Sequence, residues 1–120
     1  MVNFLKHMKR VSPEQISAAI TKAQKAYKEW SKKPIEERAL VLKSVAKLYR
    51  ERKDQLAQLM AKEMGKKIEH GLGELQIVAE IFDYYAEEGA QILQPKRLET
   101  RDGIGTIVNQ SVGIIYGIQP

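Results

Sequence analysis

Val112-Gly113-Ile114-Ile115-Tyr116-Gly117-Ile118-Gln119-Pro120 closes the chain and decides how the rest is read. β-Branched and aromatic residues punctuated by glycine have the composition of a strand. The run stops at a proline, with no further layer after it in the 120 residues. Just upstream, Ile104–Asn109 has the same character, with Thr106, Ile107 and Val108 at its centre, and Asn109-Gln110-Ser111 separates the two runs. That gap is too short for a helical crossover. The runs are therefore a hairpin or one long strand bent at a bulge. A two-stranded unit is marginal alone in water. This end of the chain reads as an unfinished layer that needs a sheet, a helix layer or another chain.

Helical patterns fill the chain upstream. Residues 1–11 show no period and read as a flexible arm. Ser12-Pro13-Glu14-Gln15 is a capping box with proline at the first helical position, and Val11 and Ile16 stand at hydrophobic-staple positions. Ile16, Ala19, Ile20, Ala23, Ala26, Tyr27 and Trp30 then recur three and four apart, which predicts a helix ending near Ser31–Lys33, before Pro34. A second helix starts at Pro34. Leu40 or Val41, Leu42, Val45, Ala46, Leu48 and Tyr49 form its apolar face, and Arg50-Glu51-Arg52-Lys53 interrupts it. Asp54 is placed to cap a further helix with Leu56, Leu59, Met60 and Met64 on its apolar side, and Gly65 is its stop. The longest helix spans roughly Lys67–Leu93. Its seam is Ile68, Leu72, Leu75, Val78 or Ala79, Phe82, Tyr85 or Ala86, Gly89 and Leu93. Gly71 and Gly73 each cost about 1 kcal/mol relative to alanine inside a helix, so they mark a frayed first turn or a close backbone approach. Residues 95–103 read as a polar connector with a turn at Asp102-Gly103. The fold class is mainly α, three to four amphipathic helices over 12–94, with a connector and a C-terminal β-strand pair over 95–120.

Composition narrows the function. Hydrophobic residues at 43% and charged residues at 29% are ordinary for a globular chain. The net charge of +5 is spread over helix faces where Lys and Arg alternate with Glu, apart from Lys6, His7, Lys9 and Arg10, and this favours solvated faces over a nucleic-acid surface. With no cysteine there is neither a disulfide, a thiolate metal site nor a cysteine nucleophile in these residues. No apolar run approaches the ~20 residues that cross a bilayer, so the expectation is a cytoplasmic chain with no membrane partner.

Few constellations carry chemistry. His7 and His70 have no partner at metal-ligand spacing, and no metal site is expected. Glu36-Glu37 and Glu87-Glu88 are adjacent on helices and so point in different directions. Gly113-Ile114-Ile115-Tyr116-Gly117 lacks a phosphate-loop lysine and opens no helix, and Gly103-Ile104-Gly105 is a weak glycine pair. Trp30, Tyr84 and Tyr85 read as core or interface aromatics, and no nucleophile–base pair can be built.

The order of the pieces resembles the N-terminal part of the NAD(P)-dependent aldehyde dehydrogenase superfamily, and within it the bacterial succinate-semialdehyde dehydrogenases. Ala23-Gln24-Lys25-Ala26-Tyr27-Lys28-Glu29-Trp30 is similar to the family's first helix, and Ile35-Glu36-Glu37-Arg38-Ala39-Leu40-Val41-Leu42 to the next. Leu56–Lys66 resembles the stretch ending in Glu-x-Gly-Lys, and Glu74 with Tyr84-Tyr85-Ala86-Glu87-Glu88-Gly89 resembles the long third helix. Val112–Pro120 is similar to the strand that leads into the family's Pro-Trp-Asn motif. The resemblance covers about residues 12–120. Ser111 departs from it, because the family normally has proline there, and residues 1–11 do not show the family's usual N-terminal strand segment.

The resemblance implies a partial aldehyde dehydrogenase α/β fold. The family oxidises an aldehyde through a cysteine thiohemiacetal. An asparagine and a backbone amide hold the oxyanion, and a glutamate-activated water releases the acid. This chain supplies no catalytic residue of that set. Ile118, Gln119 and Pro120 would lie against the cofactor, NAD or NADP in the family, mainly through backbone. The chain alone is expected to be inactive and to hold no cofactor, because it cannot build the dinucleotide fold. It is read as a truncated piece whose strand pair is of an oligomerisation type. Its expected partners are further copies of itself and the missing downstream part of the enzyme. The alternatives are a helical protein-interaction module and a basic nucleic-acid-binding helical protein.

Overall fold

A computed structural model of the chain describes residues 10–118. These form α1 (Pro13–Trp30), α2 (Ile35–Glu51), α3 (Lys53–Met64), α4 (Ile68–Ile92), β1 (Lys96–Thr100) and β2 (Gly103–Ile107). The chain divides into two compact units, one of Met1–Lys32 with Ser111–Pro120, the other of Lys33–Gln110. Most of the arm read over 1–11 lies outside the described residues.

In the first unit α1 begins where the capping box places it. The Gln15 amide donates to Ser12 Oγ at 3.3 Å, and the Ser12 amide donates to Gln15 Oε1 at 2.9 Å. Two of the orphan amides at the helix start are thereby satisfied. The helix ends at Trp30, where the Ser31 amide donates to the Tyr27 carbonyl at 2.8 Å. None of its side chains is buried, and Ile16, Ile20 and Trp30 stay exposed, so Trp30 is no core residue within this chain. Residues 111–118 take no regular secondary structure and belong to no sheet among the described residues. The strand expected at Val112–Ile118 is therefore not formed. Strand propensity reflects packing against neighbours, and this segment has no ladder partner among the described residues.

In the second unit α4 packs along α2 and α3. The break between α2 and α3 is one residue wide: Arg52 leaves the helical region at φ −105°, ψ 12°, and the Leu56 amide already donates to its carbonyl at 2.9 Å. Helix α3 thus starts at Lys53. Asp54 falls in its first turn and makes no side-chain cap, contrary to the sequence expectation. It acts there as a negative charge near the positive end of the helix dipole. Gly65 ends α3 in the left-handed conformation at φ 70°, as its position predicts.

The buried apolar residues are Ala46, Ala57, Leu75, Ala79 and Ala86, with Gly71 beside them. Alanines and a glycine at the seam let the helix backbones approach closely. A Cβ built on Gly71 would lie 3.5 Å from both Cα and Cβ of Ala57, whereas one on Gly73 would meet nothing within 4 Å. The close-approach reading holds for Gly71 alone. Around this seam Tyr49 of α2 stacks on Phe82 of α4, with ring centroids 5.8 Å apart. Of the paired options in the seam, Ala79 and Ala86 are buried, Val78 is half-buried and Tyr85 is exposed. Leu40, Val41, Leu48, Leu59, Met64, Ile68 and Leu93 also remain exposed, although periodicity assigns them to apolar faces. The faces are as broad as the sequence suggests, but only a narrow strip of alanines, Gly71 and Leu75 is buried, with Leu42, Val45, Leu56, Leu72, Val78 and Phe82 half-buried beside it.

The strand pair sits one strand earlier than expected. β1 and β2 are antiparallel, registering Lys96 with Ile107 and Thr100 with Gly103. The supposed polar connector is therefore itself a strand. Arg101 and Asp102 form the turn, Gly103 follows at φ 139°, and Thr100 Oγ1 donates to the Gly103 carbonyl at 2.7 Å. Three charged side chains in Lys96-Arg97-Leu98-Glu99-Thr100 hide the strand signal, because both faces of the ribbon meet solvent and no alternation is required.

Candidate functional site

Of the residues assigned to a cofactor, Ile118, Gln119 and Pro120, only Ile118 is among the described residues, at the end of the segment that follows Ser111. Ile118 is 81% exposed. Gln119 and Pro120 lie outside the described residues. The root of the segment is tied down: Tyr27 Oη on α1 donates to the Ser111 carbonyl at 3.2 Å and lies 2.8 Å from Ser111 Oγ. Gly113, two residues on, has φ 127°, a conformation that favours glycine. Sequence reading missed the Tyr27–Ser111 pair, since nothing in a single sequence links positions 84 apart.

The Glu-x-Gly-Lys stretch has a mechanical explanation. Gly65 reverses the chain out of α3, and Lys66 Nζ then meets Glu74 Oε2 on α4. Beside this pair is a cavity of about 250 Å³ lined by Tyr49, Leu56, Leu59, Met60, Leu75 and Val78, with Glu63 and Glu74 on its wall. It is apolar and offers no nucleophile or base pair. Nearby, Arg50 and Asp83 join α2 to α4 at 2.5 Å.

The other candidates are solvent-facing. Glu37 pairs with Lys33 at 2.8 Å, and Glu87 lies 4.0 Å from Lys43. Tyr84 and Tyr85 meet edge to face at 5.3 Å and are both about half exposed, which leaves the interface reading and not the core one. His70 is exposed, and His7 is outside the described residues. Arg38 Nε is enclosed without a hydrogen-bond partner among the described residues. At α1 the Ser12 side chain, then the backbone amide of Glu14 itself, hold the Glu14 carboxyl below the usual carboxylate range. No cluster of three His, Cys, Asp or Glu among the described residues could hold a metal ion. No described helix is long and apolar enough to cross a membrane.

Residues 3–120 match the model of the aldehyde dehydrogenase family. The chain belongs to that family. Among characterised relatives, the succinate-semialdehyde dehydrogenase [NADP(+)] of Deinococcus radiodurans is 38% identical over 106 residues, covering 88% of this chain and 22% of the relative. The NADP(+)-linked succinate-semialdehyde dehydrogenase GabD of Escherichia coli is 29% identical over 119 residues, covering 92% of this chain and 23% of GabD. In three dimensions the chain superimposes on succinic semialdehyde dehydrogenase from Streptococcus pyogenes, solved with NADP+, with a TM-score of 0.84 and 33% identity. That match covers 91% of this chain and 24% of the other. The four helices and the hairpin therefore correspond to the N-terminal part of the aldehyde dehydrogenase fold. The chain spans less than a quarter of the length of these relatives.

Proposed function

We propose that this chain is the N-terminal part of an NADP-linked succinate-semialdehyde dehydrogenase. It supplies scaffold and one wall of the cofactor site, while the reacting groups come from other parts of the fold. The observation that carries this reading is the agreement between the family match over residues 3–120 and the superposition on an NADP+-bound relative. The absence of cysteine in the 120 residues supports the division of labour, since the family's nucleophile is a thiolate.

The fit to a dinucleotide is partial. An exposed, apolar end at Ile118 suits a wall that touches a cofactor through backbone and an aliphatic side chain. The described residues contain no βαβ unit with a glycine-rich turn opening a helix, which a pyrophosphate needs. Ile118, Gln119 and Pro120 would orient the bound cofactor, and the cofactor would accept the hydride. The chain's own residues move no proton in that chemistry.

Self-association follows from the same picture. Leu98 and Ile107 are exposed on one face of the hairpin, Ile104 is exposed on the other and Val108 just beyond it, and exposed apolar surface favours association. The homo-oligomer is tested by light scattering at micromolar concentration, where a monomer would count against it. Exposed apolar faces favour this reading over a self-sufficient helical module.

The functional test is a chimera in which residues 1–120 replace the matching segment of the Deinococcus radiodurans relative. It should fold and reduce NADP+ with succinate semialdehyde, while the 120-residue chain alone produces no NADPH. A folded but inactive chimera, or NADPH formation by the chain alone, would overturn the proposal.

A further inference from the structure

We propose that Tyr27 and Ser111 are positioning residues: their paired hydroxyls fix the root of Val112–Ile118 to α1 and so set the direction in which Ile118 is presented. The effect on a cofactor rests on the functional reading above, but the tether itself does not.

Three observations carry the inference. The Tyr27 hydroxyl engages both Ser111 O and Ser111 Oγ, at 3.2 and 2.8 Å, joining residues 84 apart in sequence. Beyond that point no other hydrogen bond ties the segment down among the described residues, where Gly113 is half-buried and Ile114 is 44% exposed. No strand pairs with it among the described residues, and Val112 and Ile118 are 95% and 81% exposed. Finally, Gly113 sits directly after the root at φ 127°. Glycine is the least restricted residue, so it acts as a swivel unless its neighbours are anchored. Serine imposes no backbone angle of its own, and among the described residues its hydrogen bonds to Tyr27 are what tie position 111 down.

The test uses the full 120-residue chain and backbone amide order parameters. In the wild type, Gly113–Ile115 should lie near the rigid value of about 0.85. Tyr27→Phe, which keeps the ring and removes the hydroxyl, should lower them to about 0.6 or below. Ser111→Ala should have a smaller effect, and Ser111→Thr should retain wild-type values. Order parameters in α2 and α4 should be unchanged in all variants, which separates a local tether from loss of folding. Wild-type values already near about 0.6, or no response to Tyr27→Phe, would overturn the proposal.

In the active chimera, Tyr27→Phe should raise KM for NADP+ roughly fivefold, the effect of one hydrogen bond, and leave kcat unchanged. Loosened order parameters with an unchanged KM would overturn the positioning role. An inactive parent chimera would fault the functional reading and not the tether, because the order-parameter measurement needs no activity.

Discussion

Replacing Gly71 by alanine should stabilise the second unit, even though Gly71 is buried where α4 approaches Ala57 of α3. Two terms act in the same direction. Alanine gains up to about 1 kcal/mol over glycine in a helix, a ceiling in the first turn where Gly71 stands. The new methyl would lie 3.5 Å from Ala57 Cα and Cβ and 3.7 Å from Met60 Sδ, which is ordinary contact requiring no shift. Burying it adds roughly 0.8 kcal/mol. The sum is about 1–2 kcal/mol. Gly73→Ala has only the propensity term, about 1 kcal/mol or less, because nothing lies within 4 Å of its Cβ position. Gly71→Leu has to push past the Ala57 backbone and should cost about 1–3 kcal/mol. Urea unfolding followed by circular dichroism gives the three midpoints, and an m-value of about 1–3 kcal/mol/M turns 1 kcal/mol into a shift of roughly 0.3–1 M. Destabilisation by Gly71→Ala alongside stabilisation by Gly73→Ala would mean that the helices approach more closely than described. Destabilisation by both would refute a helical first turn in α4.

The other expectations concern the seam, one ion pair and the α1 cap. Ala46 and Ala79 are both 0% exposed, so Ala79→Leu should cost about 1–3 kcal/mol by overpacking, read as a lower thermal midpoint. Arg50→Ala should cost only about 0.2–1 kcal/mol, because both partners are more than a third exposed, and the cost should shrink at about 1 M salt. Packing of the arginine stem would instead leave a salt-independent loss. Ser12→Ala should lower α1 stability by about 1 kcal/mol, seen as reduced helical circular dichroism. The same variant should return Glu14 toward an ordinary carboxylate pKa. Because the folded-state pKa is depressed, the stabilisation is present above the ordinary carboxylate range and vanishes as pH falls through the lowered value. A carboxyl titration of Glu14 unchanged by Ser12→Ala would refute that link.

Features set by short-range chemistry are legible in the sequence. The Ser12–Gln15 box, Pro34 beside a helix start and Gly65 as a stop each depend on residues within one turn, and each falls where the spacing puts it. What one residue adopts depends less reliably on its own type: Asp54 has the chemistry of a cap, yet Arg52 makes the turn two residues too early for it. The strands were harder because pairing is nonlocal. Val112–Ile118 has the stronger propensity and no partner, while Lys96–Thr100 has weak propensity and gains five ladder positions from a neighbour two residues away. Periodicity names the buried Ala46, Leu75, Ala79 and Ala86 correctly but adds Ile68, Tyr85 and Leu93, which are exposed. Periodicity identifies a face but does not tell which strip of it another helix covers, and here that strip is four alanines with Gly71 and Leu75. The cofactor-facing assignment at Ile118, Gln119 and Pro120 came from resemblance alone, and no local pattern could have supplied it. The Tyr27–Ser111 pair lay beyond any single-sequence signal.

The alanine seam has a consequence for the life of the chain in a cell. Helices that meet through methyl groups hold one another at short range, but they leave many leucine, isoleucine and valine side chains partly exposed. Such a layer behaves like one ply of a laminate, whose strength comes from being glued between others. Proteolytic turnover tracks the fraction of time a chain spends open, and partners that bind only the folded form reduce that fraction by mass action. The abundance of this polypeptide is therefore expected to follow the supply of whatever covers it. Shortage of the cover would show first as a shorter half-life.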